Sequence, residues 1–247
     1  MGNNQKKKNK TGLKTIAIHH GKSYADETGC VMPPIFATST FEHGNKANFD
    51  YTRSGNPNFS ILENVLKGIE NSNYCTVFNS GISAVTAIVS SLKSGDIILC
   101  ESNLYGCTIR MFEKIFRKFG IQTSYFDFTN KEYIQQISKV KPSLIWLESP
   151  TNPLLKILNL KEICSEANLR KIPVVVDNTF CTAVIQKPLE LGATLSLIST
   201  TKFINGHSDA LGGAVITNDD SWNNKMIFSQ KSLGLNPSPF DCWLITL

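Results

Sequence analysis

The chain is poor in the residues that build metal centres and disulfide frames. Its 247 residues include seven cysteines, an odd number with no C-x-x-C pair, and only four histidines. Neither a disulfide scaffold nor a Cys/His zinc site follows, and a reducing cytoplasm is the expected compartment. Long apolar runs are also missing. Nothing approaches the roughly 18 consecutive apolar residues of a membrane span. The first residues lack the apolar stretch of a secretory signal, and they are rich in lysine rather than arginine, unlike a transit peptide. No G-x-G-x-x-G follows the first strand, because S-G-I-S-A does not comply, which argues against a dinucleotide-binding oxidoreductase. There is no internal repeat.

Charge of one sign dominates only locally. Lysine and arginine number 25 against 20 acidic residues, a net +5. Lys6, Lys7, Lys8, Lys10 and Lys14 cluster at the start, in a polar stretch without aromatics. Such a stretch reads as a disordered, solubilising tail. The remainder is near neutral, so a nucleic-acid partner is not expected.

Hydrophobic residues make up 41% of the chain, enough for a large core. Short apolar runs alternate with helical patterns. Strands are predicted at 74–78, 97–100, 121–126, 144–147, 172–176, 195–198 and 214–217. Helices are predicted at 81–92, along the stripe Met111, Phe112, Ile115, Phe116 and Phe119, and at 131–140 and 160–169. Ser60 and Glu63 form a capping box ahead of Val65, Leu66 and Ile69. Runs such as V-V-V and L-I-W-L are apolar on both faces, which predicts an α/β fold with a mainly parallel sheet sandwiched by helices.

Ligands of such folds sit beyond the carboxyl ends of the strands. The residues found there are 79–81, 101–105, 148–153, 177–178 and 199–202. Asp177 ends I-P-V-V-V-D, where a carboxylate is costly without a partner. It fits a structural ion pair, a helix cap, or a group that keeps a heterocyclic nitrogen protonated. Lys202 lies 25 residues on, after L-S-L-I-S-T-T. It fits a solvated lysine or an amine held to form a Schiff base. Ser80 and Gly81 occupy a strand-to-helix turn whose amides suit a phosphate. Ser199 and Thr201 alternate with Thr200, so their hydroxyls share a side if the strand persists. Tyr105 suits stacking on a flat ring or proton transfer, and equally a packed loop. Taken together, these groups match the needs of pyridoxal phosphate.

The motifs F-D-Y-T-R-S-G-N-P, N-S-G-I-S-A, L-Y-G-C-T, W-L-E-S-P-T-N-P, V-V-V-D-N-T-F and S-T-T-K-F-I-N-G-H-S-D resemble, in order, those of the cysteine/methionine-metabolism family of pyridoxal-phosphate enzymes. The resemblance runs from about Thr15 to the last residue. It implies the large domain of an aspartate-aminotransferase-type fold and a carbon–sulfur lyase acting on cystathionine or a related sulfur amino acid. Cystathionine γ-synthase, a sulfhydrylase, methionine γ-lyase and a non-catalytic remnant are the alternatives. The resemblance also implies roles. Lys202 corresponds to the Schiff-base lysine, Asp177 to the partner of the pyridinium nitrogen, and Tyr105 to the ring-stacking residue. Ser80, Gly81, Ile82, Ser199 and Thr201 correspond to the phosphate cradle, and Asn152 lies near the phenolic oxygen. Tyr51 and Arg53 correspond to a pair that reaches the cofactor of a neighbouring subunit, implying a dimer or tetramer. No metal is implied, and G-H-S-D reads as a turn.

The departures from the family pattern are modest. Ile82 replaces a frequent methionine, Thr200 and Phe203 a frequent alanine and tyrosine, and Asn58 a frequent threonine. Cys107 resembles the methionine γ-lyases, whereas N-G-H-S-D and S-P-F-D-C-W-L are closer to the cystathionine lyases. The expected organisation is a tail over residues 1–14, an arm over 15–60 that contacts a neighbouring subunit, and a cofactor-binding domain over 61–247. The family's C-terminal small domain, which carries an arginine for the substrate carboxylate, is expected to be missing. Weak cofactor binding and poor turnover are expected in consequence.

Overall fold

Asn56 and Pro57 start the first long helix. A computed structural model describes residues 12–21 and 29–247. Within them, α1 (Leu13–His19) lies against α2 (Pro57–Glu70). Contact is close at Gly68, where an added Cβ would come within 2.5 Å of the His20 ring. The basic run Lys6 to Lys10 is outside the described residues, but Lys14, assigned from sequence to the tail, is helical. The expected boundary at residue 60 falls inside α2.

The capping box at Ser60 is not what starts α2. Asn56 is the N-cap, its side chain accepting from the Asn58 amide at 2.9 Å, with Pro57 at the first helical position. Asparagine is a strong cap, and proline's missing N–H is no loss there. Ser60 therefore lies within the first turn, its amide donating to the Asn56 carbonyl at 3.2 Å. Glu63 turns to the sheet instead, accepting from the Val77 amide at 3.2 Å.

Beyond α2 the order is β1 (Tyr74–Phe78), α3 (Gly81–Val89), β2 (Ile97–Glu101), α4 (Gly106–Lys114), β3 (Gln122–Phe126), α5 (Tyr133–Val140), β4 (Leu144–Glu148), α6 (Leu160–Leu169), β5 (Val174–Asp177), α7 (Thr182–Ile185), β6 (Leu195–Ile198), β7 (Gly213–Thr217), α8 (Asp220–Ser232) and α9 (Pro239–Thr246). The seven strands form one sheet in the order β1-β7-β6-β5-β4-β2-β3. All neighbours are parallel except β7, which runs antiparallel to both β1 and β6.

Both faces of the sheet are buried, as the strand composition requires. Trp146, Val175, Ile98 and Cys100 join the core under α3, α4 and α8. Their strand neighbours Ile145, Leu147, Val174, Val176 and Leu99 face α5 and α6. This alternation is the two-residue period of a strand. Trp146 meets Phe112 edge-on, with centroids 5.3 Å apart. A third cluster joins α2, β1, β7 and α9 through Phe59, Leu66, Val77, Ile216 and Cys242.

Several boundaries differ from the sequence expectation, and three of the differences have a local cause. α3 stops at Val89 rather than Leu92, where Ser91 turns its hydroxyl back to the Ala87 carbonyl at 3.0 Å. The stripe from Met111 to Phe119 divides after Lys114, giving way to a 3-10 turn over Phe116–Phe119 that ends at Gly120. β5 begins at Val174 because Pro173 has no amide to donate to the ladder.

Candidate active site

Three adjacent parallel strands end in an acid: Glu101 on β2, Glu148 on β4 and Asp177 on β5. A carboxylate at the end of an apolar strand stays buried only if donors converge on it. Glu101, fully buried, accepts from the Asn103 amide at 3.0 Å, the Ser102 hydroxyl at 2.9 Å and the Phe128 amide at 2.9 Å. Glu148 accepts from the Tyr105 amide and the Asn152 amide, each at 2.8 Å. Asp177 accepts on one oxygen from the Thr179 amide at 3.0 Å and the Thr179 hydroxyl at 2.6 Å. Among the described residues its second oxygen has no donor.

Glu148 lies directly opposite Asp177 in the β4–β5 register. Burial and the neighbouring Asp177 charge push Glu148 up to about 8. Burial also raises Asp177, against the Thr179 bonds. The pair therefore resists carrying two negative charges, as closely spaced carboxylates do.

Over Glu148 and Asp177 lies a cavity of about 1020 Å³. Ser80, Gly81, Ile82, Tyr105, Asn152, Asp177, Ser199, Thr201 and Lys202, all singled out from sequence, line it. Ser80 caps α3, accepting from the Ser83 amide at 3.2 Å. The Gly81 and Ile82 amides open the helix and have no intrahelical acceptor. They are donors of the kind that suit an anion, beside Ser199, which packs so closely that a Cβ on Gly81 would come within 2.8 Å of the Ser199 Cβ. The Ser199 amide is held by the Thr179 hydroxyl at 2.9 Å, which ties this wall to Asp177.

The strand does not persist through Thr201, because β6 ends at Ile198 and a turn follows. The Thr201 hydroxyl donates to the Gly212 carbonyl at 3.1 Å and accepts from the Gly212 amide at 2.9 Å, so it turns toward a phosphate only by leaving that carbonyl. Lys202 stands on the same turn, exposed to the cavity, and no ion pair among the described residues holds it. Tyr105 is 44% exposed, and contact with the Cys107 thiol raises its phenol.

Tyr51 and Arg53 are not brought to this cavity. The Arg53 guanidinium lies 5.4 Å from the centre of the Tyr51 ring and donates to the Lys231 carbonyl at 3.2 Å. Conversely, sequence reasoning did not assign roles to Glu148 or Thr179. The signal for Glu148 was present, since L-I-W-L-E repeats the apolar-run-then-acid pattern of V-V-V-D. No group of three or more candidate ligands for a metal ion occurs among the described residues.

The donor set suits pyridoxal phosphate: an open helix N-terminus with an adjacent hydroxyl for the phosphate, and, without partners among the described residues, a carboxylate oxygen for the ring nitrogen and a lysine lining the same cavity. These features define a pyridoxal-phosphate-dependent enzyme fold. The chain belongs to the family described as Cys/Met metabolism PLP-dependent enzyme, which matches residues 14–247. It is 39% identical over 237 residues to a probable cystathionine gamma-synthase of Herpetosiphon aurantiacus, covering 95% of this chain and 74% of that protein. It is also 39% identical over 234 residues to the cystathionine gamma-lyase of Dictyostelium discoideum, covering 93% of this chain and 60% of that protein. The crystal structure of metB from Corynebacterium glutamicum superposes with a TM-score of 0.92 at 36% identity, covering 96% of this chain and 63% of that one. The chain thus spans about three fifths of the length of the lyase and of the crystal structure.

Proposed function

We propose that the chain carries the cofactor-binding apparatus of a carbon–sulfur lyase that acts on cystathionine. The observation that carries this reading is the convergence of Lys202, Asp177 and the Gly81–Ile82 amides on one cavity. Bound there, pyridoxal phosphate supplies an aldehyde that binds amines and a protonated ring that draws the electron pair left when a Cα proton departs.

The protein's own groups divide the remaining work. The Gly81 and Ile82 amides and the Ser199 hydroxyl bind the phosphate. The second oxygen of Asp177 would accept the ring N–H and keep the ring protonated. Tyr105 and Asn152, which line the same cavity, would hold the ring in place. The Lys202 amine would hold the aldehyde and, with substrate bound, would serve as the base and acid that moves protons on the substrate carbons. Tyr51 and Arg53, standing clear of this cavity, reach the cofactor of a second copy, and the working form is a dimer or tetramer in the cytoplasm.

Replacement of the γ-substituent, as in a cystathionine γ-synthase, is the second reading, supported by the likeness to the Herpetosiphon protein. Incubation with cystathionine and cofactor separates the two. Pyruvate release indicates β-cleavage and 2-oxobutyrate release indicates γ-cleavage. Release of neither, with cystathionine formed from an activated homoserine and cysteine, rejects the lyase. Lys202→Ala abolishes whichever activity is present.

A further inference from the structure

Glu148 touches no residue assigned above through its own chemistry, yet it holds two of them by their backbones. The Tyr105 amide opens α4, and the Asn152 amide lies in the loop after β4. Both donate to the one carboxyl group, Tyr105 to Oε2 and Asn152 to Oε1, at 2.8 Å each. These residues are 47 apart in sequence and line the same cavity. Glu148 is only 6% exposed, so water does not replace either bond at low cost. Its position at the end of β4 is fixed by the ladder to β5, opposite Asp177.

We propose that Glu148 is a positioning residue, a bidentate clamp that fixes Tyr105 and Asn152 in the wall of the cavity that Asp177 also lines. The proposal rests on the reading that this cavity holds pyridoxal phosphate. In its ionised form one carboxyl group offers two acceptor oxygens and satisfies two loop amides at once, and both of those donors favour that form against burial. A glutamine of the same size offers one acceptor and one donor, so it keeps one amide and repels the other. Aspartate keeps both acceptors and falls short by one methylene.

Amide hydrogen exchange and pyridoxal-phosphate titration of the 247-residue chain test this. In the unsubstituted protein the Tyr105 and Asn152 amides exchange at least roughly tenfold more slowly than unstructured amides, although both lie outside regular ladders. Glu148→Gln accelerates exchange at one of the two by roughly tenfold or more, leaves the Val175 amide in the sheet unchanged, and weakens pyridoxal phosphate by a similar factor. A purely structural role would instead accelerate exchange throughout the sheet. Unprotected Tyr105 and Asn152 amides in the unsubstituted protein overturn the proposal even if Glu148→Gln does not fold. Unchanged exchange or unchanged cofactor affinity in a folded Glu148→Gln overturns it as well. Failure of the unsubstituted protein to bind the cofactor, with both amides protected, rejects the cofactor reading and with it the clamp's purpose, a result distinct from loss of the clamp.

Discussion

Replacing Glu70 with glutamine stabilises the protein above neutral pH and leaves it unchanged in acid. Glu70 ends α2 and is 1% exposed. One carboxyl oxygen has no hydrogen-bond partner among the described residues, and the other meets the Ser196 hydroxyl at a long 3.4 Å. Burial raises the group from 4.5 to about 7, against the partial relief of Lys187. The folded state therefore binds this proton more tightly than the unfolded chain. The group's contribution is fully present below about pH 4.5 and is lost as the pH rises toward 7. Above pH 7 the folded protein carries a buried charge, at a cost of about 3 kcal/mol relative to its protonated form. Glutamine cannot ionise, so the stability difference between Glu70→Gln and the unsubstituted protein grows from about pH 4.5 to 7 and then levels. Urea unfolding at several pH values between 4 and 8.5 measures it. Glu63, raised to about 7 by burial, titrates in the same window but cancels in the difference. A difference that is flat with pH, or that grows toward acid, refutes the reasoning.

Gly81→Ala sets two effects against each other. Alanine is the better helix former by about 1 kcal/mol, but its Cβ would crowd Ser199, a clash worth about 1–3 kcal/mol. Thermal melts are expected to show a small loss of stability, and fluorescence titration a much larger loss of pyridoxal-phosphate affinity. Thr179→Val removes the hydroxyl that holds Asp177 and the Ser199 amide, so cofactor affinity falls roughly tenfold with the fold intact by circular dichroism. Thr200 is fully buried and its hydroxyl has no partner among the described residues, so the isosteric Thr200→Val raises stability by about 1 kcal/mol in urea.

Much of this architecture is legible in the sequence, for a physical reason. Strands buried on both faces leave unbroken apolar runs, and L-S-L-I and L-I-W-L become β6 and β4 within a residue of their expected ends. The chemistry-bearing residues follow because a parallel sheet delivers every strand end to one rim. Asp177 and Lys202 meet there although 25 residues separate them. What escaped reading depends on competition between nearby signals or on loop geometry. Ser60 and Glu63 match a capping pattern, but Asn56 and Pro57 lie just upstream and cap first. The hydroxyl of Thr201 was expected to follow a continuing strand, but the chain turns at Ser199 and Gly212 takes that hydroxyl. Glu148 was visible as an acid at a strand end. That it receives amides from two separate loops depends on how those loops close, which no local pattern encodes.

Lys202 is the residue proposed to hold pyridoxal phosphate in this cavity. Borohydride reduction of the chain with the cofactor present, followed by peptide mapping, tests it most directly. A reduced pyridoxyl group on Lys202, lost in Lys202→Ala, is the predicted result. A group on another lysine, or none at saturating cofactor, contradicts the account.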